Sequence, residues 1–231
     1  MHSTQMDSKD FNWDAFFVPY QLAIAGFIIK FESIRKQYIC NGESSPIEIV
    51  TGRIKTPESI FDKAKRLNVS VENIPNEIYD IAGIRITCKY IQDVYRVFEL
   101  LKSRKDITIT KVKDYIENPK PSGYRSLHII AKYNVETVDG QMPINIEFQI
   151  RTHAMHLWAS IEHGLKYKYY RRIPENIKTR LVDASNIAYD LDMEMAKIKT
   201  AIDETHIEMI RDDKYLDYET EISINNLKKW W

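Results

Sequence analysis

The chain has 231 residues with 33 Lys+Arg and 33 Asp+Glu, so its formal net charge at pH 7 is zero. Attraction to phosphate must therefore come from local clusters of charge, because no overall basic field exists. Only seven glycines are present, and neither G-x-x-x-x-G-K-[ST] nor G-x-G-x-x-G occurs. These absences exclude the Walker and Rossmann phosphate loops.

The cysteines and the apolar runs predict the cellular compartment. Cys40 and Cys88 have no C-x-x-C partner, so we interpret both as buried small side chains in a reducing environment, without a cysteine-based zinc site. The N-terminus lacks a secretory signal pattern, and the longest uncharged apolar run, 16–29, is shorter than the ~20 residues of a membrane span. We expect a soluble, cytoplasmic protein with no membrane partner.

Apolar periodicity predicts one domain of the mixed α/β (α+β) class, with a mixed β-sheet flanked by helices. A helical segment over about 14–41, with one apolar stripe from Pro19 to Cys40, precedes a core over about 50–170. Thr56 and Pro57 mark the start of a second helix, as cap and first residue. The other expected elements are a strand over 83–90, a helix over 91–103, a strand over 107–115, a hairpin of 127–138 and 143–151 around Asp139-Gly140, and a helix after Thr152.

The last helix, over about 175–210, carries apolar residues at four-three spacing from Ile177 to Ile202. This stripe fits packing on its own domain or contact with another subunit, and both alternatives stay open. We expect the acidic tail over 203–221 to be mobile or to face a partner. The helix after Thr152 is predicted to bury one face, formed by Ala154, Leu157, Trp158, Ile161 and Leu165.

The strand Ile144–Arg151 is the most informative segment. Its period-two alternation directs four apolar residues into the core and places four polar residues in a row on the other face, about 6.6 Å apart. The polar residues are Asn145, Glu147, Gln149 and Arg151. The row is either an ordinary solvated face or the floor of a site, and the alternation alone favours neither.

A basic segment precedes this strand. Residues 102–132 hold eight Lys/Arg and three acidic residues. Within it, KPSGYRSLH places Tyr124 beside a turn, between Lys120 and His128, which is suited to stacking a nucleic-acid base. The alternative is a loop whose tyrosine only covers the edge of the core. Lys113 shares one face of the preceding strand with Lys111, and its default interpretation is a solvated basic face.

A second polar group surrounds the expected start of the second helix. Arg53, Lys55, Ser59 and Lys63 form a phosphate site that needs no glycine loop, because free backbone N–H groups and the helix dipole attract anions. Asp80 is a lone carboxylate before a strand. Together with Glu147 it could hold Mg²⁺, which prefers oxygen ligands. His153, His156 and His163 form a helical stripe for which a solvated face is a simpler interpretation than a metal site.

Four segments resemble the synthetase domain of Rel/SpoT-type alarmone enzymes, and the chain looks like a single-domain small alarmone synthetase. They are GRIKTPESIFDK (52–63), YDIAGIR (79–85), KVKDYIENPKPSGYRSLH (111–128) and INIEFQIRTHAMHLWASIEH (144–163). The resemblance implies a nucleotidyltransferase-like fold. It also implies a GTP/GDP pyrophosphokinase that moves the β,γ-diphosphate of ATP to the 3′-hydroxyl of GDP or GTP in the stringent response, giving ppGpp or pppGpp and AMP.

The same resemblance assigns roles to individual positions. Arg53 and Arg85 would sandwich the adenine, and Lys55, Ser59 and Lys63 would bind the ATP phosphates. Asp80 and Glu147 would hold Mg²⁺. The residues implied for the acceptor nucleotide are Tyr124, stacked on the guanine, Lys113, Lys120 and His128 at its phosphates, and Asn145 and Gln149 at the nucleoside or the reacting oxygens.

General chemistry agrees with this reaction, because a ribose hydroxyl is a weak nucleophile and needs a base such as Glu147. Two alternatives remain: another enzyme of the nucleotidyltransferase fold, which would usually present paired acidic residues for two metals, and a module that binds RNA through the basic segment. Single-stranded RNA is also a partner that the family implies. A homo-oligomer, a tetramer by resemblance, would use the stripe of the last helix and that of the first.

Overall fold

The structure is a computed structural model that describes residues 11–168 and 173–211. The end of the acidic tail, 212–221, lies outside the described residues. The helices are α1 (Trp13–Cys40), α2 (Pro57–Leu67), α3 (Ile74–Glu77), α4 (Ile91–Lys102), α5 (His153–Lys168) and α6 (Glu175–Arg211). The strands are β1 (Ile49–Ile54), β2 (Ala82–Cys88), β3 (Ile107–Asp114), β4 (Leu127–Thr137) and β5 (Gly140–Thr152).

The five strands form one mixed sheet in the order β1-β2-β5-β4-β3. The β2–β5 pair is parallel, and the other three pairs are antiparallel. β5 is the last strand in the chain but lies in the middle of the sheet. The predicted fold class, a mixed sheet flanked by helices, is confirmed.

Helix α1 covers the apolar face of the sheet. Phe27 and Phe31 are fully buried, and their rings lie 5.1 and 6.1 Å from the ring of Phe148 on β5. Truncating such a phenylalanine to alanine costs about 3–5 kcal/mol. Among the described helices, α1 alone is long and apolar enough to cross a membrane, a test that the core helix of a soluble protein also passes.

Local sequence signals placed most element ends correctly. Thr56 caps α2 by accepting a hydrogen bond from the Ser59 N–H, and Asn68 ends the helix in the left-handed region with φ 55°. The hairpin around Asp139-Gly140 is confirmed, with the second strand starting at Gly140 itself. Helix α1 begins at Trp13, one residue before the predicted start, because the Asn12 side chain caps it by accepting a hydrogen bond from the Ala15 N–H; Pro19 lies inside the helix.

Several sequence expectations are wrong. Strand β1 was not predicted, and Cys40 is exposed at the end of α1, while Cys88 is buried as expected. On α5, Leu157 and Ile161 are exposed instead of buried. The buried face of that helix is formed by Met155, Trp158, Ala159 and Glu162.

The apolar stripe of α6 mostly faces away from the domain. Leu191, Ile198 and Ile202 are 56%, 44% and 62% exposed, whereas the helix buries Ser185 and Asp192. The interpretation that the stripe packs on its own domain is therefore wrong at those three positions. The alternative, contact with another subunit, stays a prediction.

Candidate active site

The alternation of β5 separates the core from a polar face, as the sequence predicted. Ile144, Ile146, Phe148 and Ile150 are 0–3% exposed and belong to the hydrophobic core. On the opposite face, Glu147 and Gln149 are partly buried and Arg151 is only 3% exposed. An ordinary solvated face is therefore the wrong interpretation of this row, because its charged groups are largely removed from water.

Glu147 is the centre of a hydrogen-bonded chain. The Nδ1 atom of His128 lies 3.0 Å from Glu147 Oε1, and the Gln149 side-chain amide donates to Oε2 at 2.8 Å. The other ring nitrogen of His128 lies 2.8 Å from the Tyr124 hydroxyl. This geometry follows from strand register, because His128 on β4 pairs with Gln149 on β5. Tyr124, His128, Gln149 and Glu147 thus come together as the sequence predicted.

The environment of Glu147 keeps its carboxylate ionised at neutral pH. Burial alone would raise its pKa, but the hydrogen bond and charge of His128 and the hydrogen bond of Gln149 outweigh burial. The net pKa of Glu147 lies below its ordinary value of 4.5. The charge of Asp80 acts in the opposite direction and raises the pKa of Glu147, but it is the smallest of these effects.

Asp80 forms a second polar cluster with two lysines at the start of β2. Lys55 Nζ lies 3.1 Å from Asp80 Oδ2, and Lys63 Nζ lies 2.8 Å from Oδ1. The backbone N–H of Lys55 donates to the Ile81 carbonyl at 2.9 Å, which holds the end of β1 beside Asp80. Burial opposes ionisation of Asp80, but both lysines outweigh it and lower its pKa.

The carboxylates of this site fit a hard divalent cation. Asp80 Oδ1 is buried and, apart from its ion pair with Lys63, makes no hydrogen bond within the described residues. Glu147 supplies a second ionised carboxylate at the same face. Two carboxylates completed by water and substrate phosphates are a usual donor set for Mg²⁺.

The arginines predicted to hold a base lie on neighbouring strands. Arg53 on the edge strand β1 pairs with Gly83, and Arg85 pairs with Thr51. Both arginines thus share one face of the sheet. The Nε atom of Arg85 is buried and makes no hydrogen bond in the part of the chain that the structure describes.

On the β4 side of Glu147, aromatic rings and a lysine surround Tyr124. Lys120 Nζ lies 4.7 Å from the Tyr124 ring centroid and 4.6 Å from that of Tyr115. Lys113 is exposed and pairs with His128 in the β3–β4 register. These basic groups reach the same end of the sheet as the Glu147 chain.

Two predicted residues take other contacts. The Asn145 side-chain amide donates to the Pro75 carbonyl at 3.1 Å, so Asn145 holds α3 against β5. Its Oδ1 atom is buried without a hydrogen bond among the described residues. Ser59 is exposed in the first turn of α2, where its hydroxyl accepts from the Thr56 hydroxyl at 3.0 Å.

Arg151 is a residue of the site that the sequence placed on the polar face without assigning it a role. Burial and the neighbouring charge of Arg85 lower the pKa of Arg151 to about 10. The electrostatic interaction with Tyr124 acts in the opposite direction and favours the charged form of Arg151. The sequence contained the signal, an arginine in the Glu147 row, but its neighbours depend on the β2–β5 register and on the loop that carries Tyr124.

The histidine stripe of α5 does not assemble a metal site. His153 and His163 are exposed, and His156 is partly buried. Burial and the charge of Arg151 lower the pKa of His156. Within residues 11–168 and 173–211, no group of three or more His, Cys, Asp or Glu side chains is arranged to hold a metal ion.

Comparison with known proteins identifies the family. A model described as a region found in RelA / SpoT proteins matches residues 52–172. The chain belongs to the RelA/SpoT family. GTP pyrophosphokinase YjbM of Bacillus subtilis is 43% identical over 209 residues, which cover 90% of this chain and 98% of YjbM. YwaC, also a GTP pyrophosphokinase of Bacillus subtilis, is 39% identical and covers 83% of this chain and 92% of its own length.

Solved structures of RelA/SpoT-family proteins share the fold. Small alarmone synthetase 1 from Bacillus subtilis bound to its product pppGpp has a TM-score of 0.80 and 44% identity, covering 82% of this chain and 97% of its own. A GTP pyrophosphokinase family protein from Streptococcus pneumoniae has a TM-score of 0.79 and 43% identity, covering 84% and 95%. The resemblance predicted from the four sequence segments is confirmed.

Proposed function

We propose that this RelA/SpoT-family protein is a GTP pyrophosphokinase. It transfers the β,γ-diphosphate of ATP to the 3′-hydroxyl of GDP or GTP, which gives ppGpp or pppGpp and releases AMP. The observation that supports this proposal best is the ionised Glu147 on the middle strand, next to the Lys55–Asp80–Lys63 cluster. The names of YjbM, YwaC and the pppGpp-bound synthetase agree with it.

Glu147 acts as the general base. It takes the proton of the ribose 3′-hydroxyl, whose oxygen then bonds to the β-phosphorus of ATP. The bond between that phosphorus and the oxygen bridging to the α-phosphate breaks, and AMP leaves with the bridging oxygen. Because the carboxylate is already ionised, it can accept a proton at neutral pH, and hydrogen bonds from His128 and Gln149 fix its orientation.

Donor and acceptor bind on opposite sides of β5. Lys55, Ser59 and Lys63 contact the ATP phosphates, while Arg53 and Arg85 stack on the adenine. Tyr124 stacks on the guanine, and the basic and amide groups around it bind the rest of the acceptor. These groups are Lys113, Lys120, His128, Asn145 and Gln149. Stacking both bases holds the reacting atoms in line, which lowers the entropic part of the barrier.

Mg²⁺ is the cofactor that this reaction uses. Asp80 and Glu147 would hold it, and it would offset the negative charge of the transferred phosphates. Lys55 and Lys63 would then contact the ATP phosphates in addition to their ion pairs with Asp80. Removal of divalent cations with a chelator should abolish product formation, and added Mg²⁺ should restore it.

The exposed stripe of α6 supports a homo-oligomer, which we propose is a tetramer. Leu191, Ile198 and Ile202 expose a continuous apolar strip on a helix whose other side packs on the domain. Light scattering should give a mass above 27.3 kDa. Charged residues at Leu191 and Ile198 should reduce that mass, and a monomeric wild type would contradict the proposal.

Product analysis tests the function directly. Purified protein, Mg²⁺, ATP labelled in the γ-phosphate and either GDP or GTP should give a labelled guanine nucleotide with two added phosphates, together with one AMP per transfer. Transfer of AMP to an acceptor, with release of pyrophosphate, would instead identify another enzyme of the nucleotidyltransferase fold. Single-stranded RNA binding that falls steeply with salt, without any AMP, would favour the RNA-binding alternative.

We also propose that the protein acts in the cytoplasm, where its nucleotide substrates are found.

A further inference from the structure

The segment that carries Tyr124 is a short loop between β3 and β4, which we call the acceptor loop (residues 120–126). Its turn is closed by the Gly123 N–H, which donates to the Lys120 carbonyl at 2.8 Å. A cavity of about 760 Å³ borders Pro121 and Ser122 of this loop. Pro121 and Ser122 therefore leave part of the loop surface unpacked.

Helix α6 contacts the loop on the residue before Tyr124. The Ser185 hydroxyl, on a side chain that is 3% exposed, donates to the Gly123 carbonyl oxygen. Gly123 has φ +88°, and a Cβ there would come within 2.9 Å of Ser185 Cβ and 3.3 Å of Val182 Cα. Glycine is thus required by its conformation and by the close approach of α6.

The same helix contacts the residue after Tyr124. The guanidinium of Arg125 lies 4.2 Å from the ring centroid of Tyr189, and its Nη2 donates to Asn186 Oδ1 at 3.3 Å. Nη1 of Arg125 donates to the Ile116 carbonyl at 2.9 Å. The residues on both sides of Tyr124 in the chain, Gly123 and Arg125, therefore form hydrogen bonds with α6.

We infer that Ser185, supported by Asn186 and Tyr189, is a positioning residue that fixes Tyr124 for the acceptor nucleotide. This inference rests on the proposed function, in which Tyr124 stacks on guanine. A stacking ring raises affinity more when its orientation is fixed before binding, because otherwise binding must also order the loop. Among the described residues the Ser185 hydroxyl bonds the acceptor loop at Gly123, so we expect its effect to fall on the acceptor and not on ATP.

The central variant is Ser185→Ala, which leaves the buried Gly123 carbonyl without its donor. We expect the KM for GDP or GTP to rise on the order of tenfold, while the KM for ATP changes less than about twofold. Asn186→Ala removes a contact at an exposed residue that does not threaten the fold, and it should give a smaller shift in the same direction. Thr200→Ala is the matched control, because among the described residues its hydroxyl bonds only the α6 carbonyl of Ala196, at 3.1 Å.

Amide hydrogen exchange supplies a readout that does not depend on activity. In Ser185→Ala, exchange of residues 120–126 should accelerate, while exchange of β5 should match that of the wild type and of Thr200→Ala. Unchanged loop exchange would overturn the inference, and so would equal rises in both KM values. If the wild type makes no product, the proposed function fails, and loop exchange alone decides whether α6 holds the loop.

Discussion

Asp192 on α6 provides a test of how the buried end of β5 controls stability. Its side chain is buried, with Oδ2 2.5 Å from the hydroxyl of Thr152, which donates to it. The same hydroxyl accepts the N–H of Met155 at 3.2 Å, at the start of α5. Burial raises the pKa of Asp192 from 3.8 to about 6, although Thr152 and the charge of His153 act to lower it.

The sign of the pH dependence follows from this raised pKa. The folded state binds the proton of Asp192 more tightly than the unfolded state does. The resulting stability is fully present below pH 3.8 and is lost as the pH rises through about 6. Above that pH the ionised carboxylate costs about 3 kcal/mol relative to the protonated form.

Asp192→Asn removes the charge and keeps an acceptor for Thr152. The net pKa of about 6 already includes the hydrogen bond from Thr152, so we expect a stabilisation of up to about 3 kcal/mol at pH 7.5. The corresponding rise in Tm is about 6–12 °C. At pH 5, where Asp192 is still protonated in most folded wild-type molecules, the rise in Tm should be smaller.

Thermal unfolding followed by circular dichroism at pH 5 and 7.5 measures both values. Asp190→Asn, at an exposed neighbour on α6, is the control for loss of a negative charge on this helix. A Tm for Asp192→Asn that falls at pH 7.5, or that rises equally at both pH values, would refute the reasoning.

Three further predictions concern the reaction. Glu147→Gln should lower kcat by roughly 10²–10⁴ without a comparable change in ATP affinity, because the amide cannot accept the ribose proton; steady-state kinetics with turnover near that of the wild type would contradict its role. Tyr124→Ala should raise the KM for GDP by roughly 5–150-fold, equivalent to about 1–3 kcal/mol of stacking, and an equal rise for ATP would contradict the stacking assignment. Because the pKa of Glu147 lies below 4.5, kcat should stay flat between pH 7 and 5.5, and an acidic limb above pH 5.5 would count against Glu147 as the base.

The features that local pattern controls could be predicted from the sequence. Period-two alternation assigned Phe148 to the core and Glu147 to the polar face, because neighbouring residues of a strand point to opposite faces wherever the strand lies. The Thr56-Pro57 helix start is equally local. Strand β1 escaped prediction because it is a short edge strand interrupted by Gly52, whose missing side chain admits Ile24 of α1.

The remaining features depend on contacts between distant segments. On α5 the sequence pattern predicts a buried face that includes Leu157, Trp158 and Ile161. Trp158 is buried, but packing against β5 and α6 buries Met155 in place of Leu157 and Ile161. Trp158 is fixed by its indole N–H, which donates to the Leu181 carbonyl on α6 at 2.7 Å. The partners of Arg151 and the contact of Ser185 with the acceptor loop depend on tertiary structure in the same way.

The order of strands places the base between its two substrates. The residues proposed for ATP lie on or next to β1 and β2, those for the acceptor lie on β5 itself or on and next to β3 and β4, and β5 separates the two pairs of strands. A group that removes a proton from one nucleotide while the other is attacked must reach both. Glu147 on the middle strand meets that condition, and its position along the strand is as important as its chemistry.

An exchange of neighbours tests position separately from charge. The double variant Glu147→Gln/Gln149→Glu keeps the composition and charge of the face but moves the carboxylate two residues along β5, about 6.6 Å towards Arg151. Because proton transfer requires hydrogen-bond distance, the double variant should turn over as slowly as Glu147→Gln alone. Thermal unfolding checks that both variants fold. Recovery to within about tenfold of the wild-type kcat would mean that a negative charge anywhere on this face is sufficient, and the assignment of Glu147 as the base would then be wrong.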